Sequence, residues 1–261
     1  MKSFLRIILT ALSFILMAGH IASGQGRTGK TDIQTKLNGY FTPAGNGAVP
    51  PDEDGFIRRW LLLEPISKPN RSNSVFTDTY TREAIMHEYF TGQFSSLPKD
   101  GDKVKVEMEY QPPVDLTVRR ASAPVGNQPK TVKAALTWHA LDSDHFFVKL
   151  FRFATGLDKD RYGVIFWSVT VLNCEEDIRD VRLSIGSNKG AMWWLNGEEL
   201  LLLAGDRHMG VDSAVSRRVT LKKGRNILRG ATINGPGMSE FCARFIDDEG
   251  KPVNNYTISC E

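Results

Sequence analysis

The chain has 261 residues, 24% of them charged and 41% hydrophobic, enough apolar material for a sizeable core and too little charge for a disordered polymer. Its formal net charge of +3 falls to +1 once Lys2 and Arg6 at the N-terminus are set aside. The other basic pairs, such as Arg58-Arg59 and Lys222-Lys223, are scattered among acidic neighbours rather than gathered on one face, which argues against a nucleic-acid partner.

Lys2 and Arg6 precede a largely apolar run from Ile7 to Ala18, and the small residues Ala22-Ser23-Gly24 follow. This order predicts a signal peptide over 1–24 and export to the periplasm or the medium. The run is too short for a spanning helix, and no later segment has the eighteen or so apolar residues a membrane crossing needs. No cysteine follows the expected cut, so the bacterial lipoprotein pattern is missing.

Residues 25–54 are rich in Gly, Pro, Thr and Asn and read as a flexible lead-in, with the folded domain over 55–261. From Gly55 onward, short β-branched and aromatic runs alternate with turn signals: GFIRRWLLLEPI, DKVKVEMEY, KAALTWHAL, HFFVKLFRFAT, YGVIFWSVTVL, DVRLSIGS, AMWWLNGEELLLL, SRRVTLKKGRNILRGATIN, EFCARFID and NNYTIS. These predict about ten strands. Only Thr79 to Phe90 has helical apolar spacing, placing Ala84, Ile85, Tyr89 and Phe90 on one side. One short helix at most among many strands predicts an all-β sandwich. Asn196-Gly197 suits a tight hairpin, and Gly224 supplies a positive φ in the next.

Trp193 and Trp194 stand side by side in this pattern. Alternation along a strand sends them to opposite faces, so they cannot form one flat platform. Trp193 shares its face with Leu195 and is expected in the core. Trp194, with Met192, is expected to face outward and offer a ring for sugar stacking. The loop from Ala204 to Asp212 gathers Asp206, Arg207 and His208, side-chain types that make the directional hydrogen bonds sugar hydroxyls require. Trp194, Asp206, Arg207 and His208 are therefore the candidate ligand-binding residues, against the plainer reading of a packed ring and a solvated loop.

Catalytic and metal motifs are weaker. Gly186-Ser187-Asn188-Lys189-Gly190 has its serine in the wrong place for a nucleophile elbow, and a triad of Ser213, His208 and Asp206 would lack any mark of an activated nucleophile. His139, Asp142, Asp144 and His145 meet no known ligand spacing. No catalytic residue, metal ligand or cofactor is assigned; the acidic group Asp52 to Asp54 could hold a structural calcium, against the plainer reading of a solvated linker end. Cys174, Cys242 and Cys260 allow at most one internal disulfide; Cys242 and Cys260 flank the last hairpin, and pairing and free buried thiols both stay open.

The stretch from Met192 to Asp247 resembles the second half of galactose-binding-like jelly-roll domains, with Leu195-Asn196-Gly197 and Leu221-Lys222-Lys223-Gly224-Arg225-Asn226 at the matching turns. The runs DGFIRRWLLLEPISKPNRSNSVFTDTY and YGVIFWSVTVLNCEEDIRDVRLSIGSN resemble the accessory module that accompanies acetylxylan esterases of Bacteroidetes-type bacteria, over Asp54 to about Ile258. That resemblance implies an exported, non-catalytic jelly-roll module for xylan-like plant polysaccharide, with a polysaccharide or oligosaccharide as partner and a carbohydrate-active enzyme as a further one. The alternatives are an esterase that deacetylates xylan and a structural module packed on a catalytic partner.

Overall fold

The structure is a computed structural model that describes residues 36–70, 72–110 and 129–261. The expected signal peptide and the first part of the lead-in lie outside these residues. The described chain is mostly β-strand. In chain order the strands are β1 (Phe41–Pro43), β2 (Arg59–Leu63), β3 (Ile66–Ser67), β4 (Lys103–Tyr110), β5 (Lys130–Ser143), β6 (Val164–Cys174), β7 (Ile178–Ser187), β8 (Gly190–Leu195), β9 (Glu198–Leu203), β10 (Ala214–Leu221), β11 (Gly224–Asn234), β12 (Phe241–Ile246) and β13 (Thr257–Ser259). Helix α1 spans Asp78–Met86 and α2 spans Leu150–Gly156.

All the pairings are antiparallel. Ten strands form one sheet whose spine runs β1-β5-β2-β6-β11-β8-β9, with β3 and β13 beside β6 and β4 beside β5. A second sheet of three strands, β10-β7-β12, packs on one face. The core between the sheets centres on an aromatic cluster in which Trp60, Trp193 and Phe241 lie 5.1 to 5.8 Å apart, edge to face. Leu183, Ile185 and Phe245 close it from the smaller sheet. Trp193 lies against Gly230, its cross-strand partner on β11, and a Cβ there would meet its ring at 2.5 Å.

The other face of the large sheet is also covered. α1 and the segment that follows it roof a second core of Trp138, Trp167, Trp194, Ile85 and Phe90. Thr77 caps α1 by accepting from the Tyr80 amide (3.2 Å), and Asp78 complements the positive end of the helix. Arg82 fastens the helix to β9 with two hydrogen bonds to Glu199 (2.7 and 2.8 Å). The four apolar residues expected on the face of this helix are all buried, although the chain leaves the helix at Met86.

Three expectations are corrected. The folded unit does not start at Gly55: β1 pairs with β5, Leu37 and Phe41 enter the core, and Val49 bridges Ile258. The short β1 strand contributes few residues, so composition concealed it. The described residues hold two helices, Asp78–Met86 and Leu150–Gly156, rather than one at most, because part of HFFVKLFRFAT is α2, with Leu150, Phe153 and Ala154 buried at i, i+3 and i+4. Trp194 does not face outward. It is 4% exposed, stacked on Trp167 at 5.7 Å and edge-on to Phe94 at 5.7 Å.

The hairpins behave as the sequence predicts. Asn196 and Gly197 both have positive φ (52° and 85°), as a type I′ turn between β8 and β9 requires, and Gly224 sits at φ 88° between β10 and β11. The three cysteines are free. Burial pushes the Cys242 and Cys260 thiols up to about 12. Among the described residues no helix is long and apolar enough to cross a membrane.

Candidate functional site

Antiparallel order brings the β7–β8, β9–β10 and β11–β12 connections to one end of the sandwich, together with the segments after β3 and before β6. The loop bearing Asp206, Arg207 and His208 lies here. Its centre is a buried cation. Lys189, in the short β7–β8 turn, has a side chain only 5% exposed, and its ammonium donates to Asp206 Oδ1 (2.6 Å) and the Pro236 carbonyl (3.2 Å). Asn73 Nδ2 donates to the second oxygen, Asp206 Oδ2 (2.8 Å). The carboxylate is thus held from below and from the side while its side chain stays 42% exposed.

Asn70, Asn73 and Asn234 stand around this centre with fixed orientation. Each amide nitrogen faces an oxygen: Asn70 donates to the Lys68 carbonyl (3.0 Å), Asn73 to Asp206, and Asn234 to the Arg161 (2.5 Å) and Gly237 (3.2 Å) carbonyls. The Asn70 and Asn73 side-chain oxygens converge on Gly235, where a Cβ would meet them at 2.6 and 2.7 Å. Glycine at 235 therefore lets the β11–β12 loop pass close enough to set the Pro236 carbonyl on Lys189.

The expected site residues take different places. Asp206 and His208 are both exposed at this end. Arg207 turns inward, donating to the Ser187 (3.0 Å), Lys189 (3.3 Å) and Ala204 carbonyls, so it pins the loop to the β7–β8 turn rather than reaching outward. Burial lowers its pKa, and Asp206 works weakly against that. Trp194 is in the second core, away from solvent, and leaves the set. Lys189 and Asn73 were missed. A lone lysine in a turn and an asparagine after a proline-rich stretch carry no periodic signal.

Other residues the sequence singled out are occupied elsewhere. Ser213 Oγ donates to the Gly210 carbonyl (3.0 Å), and Asp206 is engaged by Lys189 and Asn73, so no triad is assembled from them. Asp142 is gripped by Arg59 through two hydrogen bonds of 2.7 Å. His139 stands 3.7 Å from Glu64 instead; burial works to raise the Glu64 carboxyl, but His139 and Lys159 hold it below the usual carboxylate range. Asp52 caps its own turn, accepting from the Asp54 (3.2 Å) and Phe56 (2.7 Å) amides. A groove of about 620 Å³ between α1 and β4 is lined by Tyr80, Glu83, Glu88 and Tyr89 among others, and includes none of the expected site residues.

The protein is a two-sheet β-sandwich with a roofed second core and a polar loop end. No family model matches the chain, and no curated protein sequence does. Among solved structures, the PA14 sugar-binding domain from an RTX adhesin is similar at 10% identity and a TM-score of 0.37, over 77% of this chain and 96% of that one. The PA14 domain of the MpAFP antifreeze protein is similar at 8% identity and a TM-score of 0.33, over 80% and 89%. A β-glucosidase from Kluyveromyces marxianus is 23% identical with a TM-score of 0.28, over 50% of this chain and 15% of that one. These are likenesses between β domains in outline, and the functional reading rests on the side chains described above.

Proposed function

We propose that the chain is an exported, non-catalytic module of the galactose-binding-like kind that binds plant-type polysaccharide of the xylan class through its polar loop end. The observation that carries this reading is Asp206: a half-exposed carboxylate whose two oxygens are each held by a donor, Lys189 and Asn73, behind the surface. A carboxylate fixed in this way keeps lone pairs for a pair of sugar hydroxyls and loses no side-chain entropy when it accepts from them. His208 adds an exposed ring on the same loop, and Arg207 supports the loop from within.

Affinity electrophoresis in gels of soluble plant polysaccharides tests the reading. The purified chain should be retarded by xylan, and His208→Ala should reduce retardation without moving the melting temperature. Acetylated xylan should yield no acetate. Free passage through every polysaccharide gel overturns the module reading, and acetate release abolished by Ser213→Ala replaces it with an esterase.

A further inference from the structure

Four of the five cation–π contacts among the described residues involve the segment from Phe147 to Tyr162, and the fifth sets Arg244 over Phe56. Four cations make these contacts, and two of them are neutralised: Lys149 by Glu240 (2.5 Å) and Arg244 by Asp212. The other two, Arg152 and Arg161, form no ion pair among the described residues. Arg152 lies over Tyr40 at 4.8 Å. Arg161 lies over two rings, Phe151 at 5.4 Å and Tyr162 at 5.2 Å.

Arg161 is also fixed at its root. Its backbone carbonyl accepts from Asn234 Nδ2 (2.5 Å), and the Phe151 amide donates to the Ser239 carbonyl (3.1 Å), which ties this corner to the β11–β12 loop and so to the Asp206 end. A guanidinium lying over ring faces keeps N–H groups at its edge for a ligand, and its planar fork matches a carboxylate through two parallel hydrogen bonds. Tyr162 is 48% exposed and offers a ring to the apolar face of a sugar. Nearby acids do not quench the site: Asp158 is taken by Lys36, and Asp160 makes no ion pair with Arg161.

We infer that Arg161, lying over the contacting rings of Phe151 and Tyr162, recognises the carboxylate of a uronic acid, so that the polysaccharide bound is an acidic one. This deepens the glycan-binding reading and rests on it. The near-neutral chain, with its basic pairs scattered, favours a sparsely charged polymer over a dense polyanion such as nucleic acid.

The test compares a glucuronic-acid-substituted xylan with the same polymer after reduction of its carboxyl groups to alcohols, in affinity gels at low and at 0.5 M salt (about 4 Å screening length). The chain should bind the acidic polymer about tenfold more tightly at low salt, and salt should erase the difference. Arg161→Gln should lower binding of the acidic polymer to the level of the reduced one, whereas Arg179→Gln, an exposed arginine at the far end of β7, should change nothing. Equal binding of both polymers overturns the inference and leaves the glycan reading standing. Binding of neither overturns both. Equally tight binding of single-stranded DNA, with the same sensitivity to Arg161→Gln, overturns the inference in favour of a general polyanion site.

Discussion

Truncating Trp194 should be as damaging as truncating Trp193. Trp193 is fully buried against Trp60 and Phe241, and Trp194 is 4% exposed, with Trp167 stacked on it and Phe94 against its edge. Removing a buried tryptophan ring loses its transfer free energy and leaves a hole the neighbours only partly fill, about 3–5 kcal/mol in either core. At about 2–4 °C per kcal/mol for a domain of this size, each alanine variant should melt about 6–20 °C lower than the parent. Near-UV circular dichroism follows the melt through the aromatic packing itself. A Trp194→Ala variant that melts within a degree or two of the parent would refute the second core and return this ring to the surface.

Asp206→Ala should destabilise the fold by about 3–5 kcal/mol in urea denaturation because it strands the buried Lys189 ammonium, while Lys189→Met should cost much less. Equal losses would mean that the buried charge matters no more than the volume it fills. Acid stability should depend on Asp212: burial alone would raise its pKa, but the Arg244 and Ser184 hydrogen bonds outweigh that and hold it below the ordinary aspartate value. A depressed carboxyl contributes stability in full above the unfolded pKa of about 3.9 and loses it as pH falls through the folded value. Asp212→Asn should therefore melt lower at neutral pH and show a flatter decline below about pH 4, and parallel acid limbs for the two proteins would rule this out.

The sequence disclosed those features that repeat with a local period. The type I′ turn at Asn196-Gly197, the alternation of β4, the face of α1 and the opposite sidedness of Trp193 and Trp194 all depend on residues close in the chain. What failed was the environment of each face. β8 reads GAMWWL and β6 reads VIFWSVTVLNC, nearly unbroken apolar runs rather than alternating ones, which is the mark of a strand covered on both sides. The roof over Trp194 comes from α1 and the chain after it, more than ninety residues earlier, and nothing local to the tryptophans announces it. The loop end was half legible for a similar reason. Asp206 and His208 stand out in their own loop, but the lysine and asparagine that fix Asp206 arrive from two other segments, and so does the glycine that lets Pro236 approach.

The covered middle sheet also bears on how a long polymer can be held. A naked sheet would provide a runway on which many sugar units lie flat, so that grip grows with chain length. Here the roof of α1 and the smaller sheet take both broad faces of the central strands, so the glycan proposed above would meet only the perimeter: a loop end a few residues across and the aromatic side that adjoins it. Contact at a perimeter saturates after a few sugar rings. A polymer gains from such a module through the number of side branches or chain ends it displays, so several copies arrayed on one branched chain would hold it far more firmly than one copy holds a chain of any length.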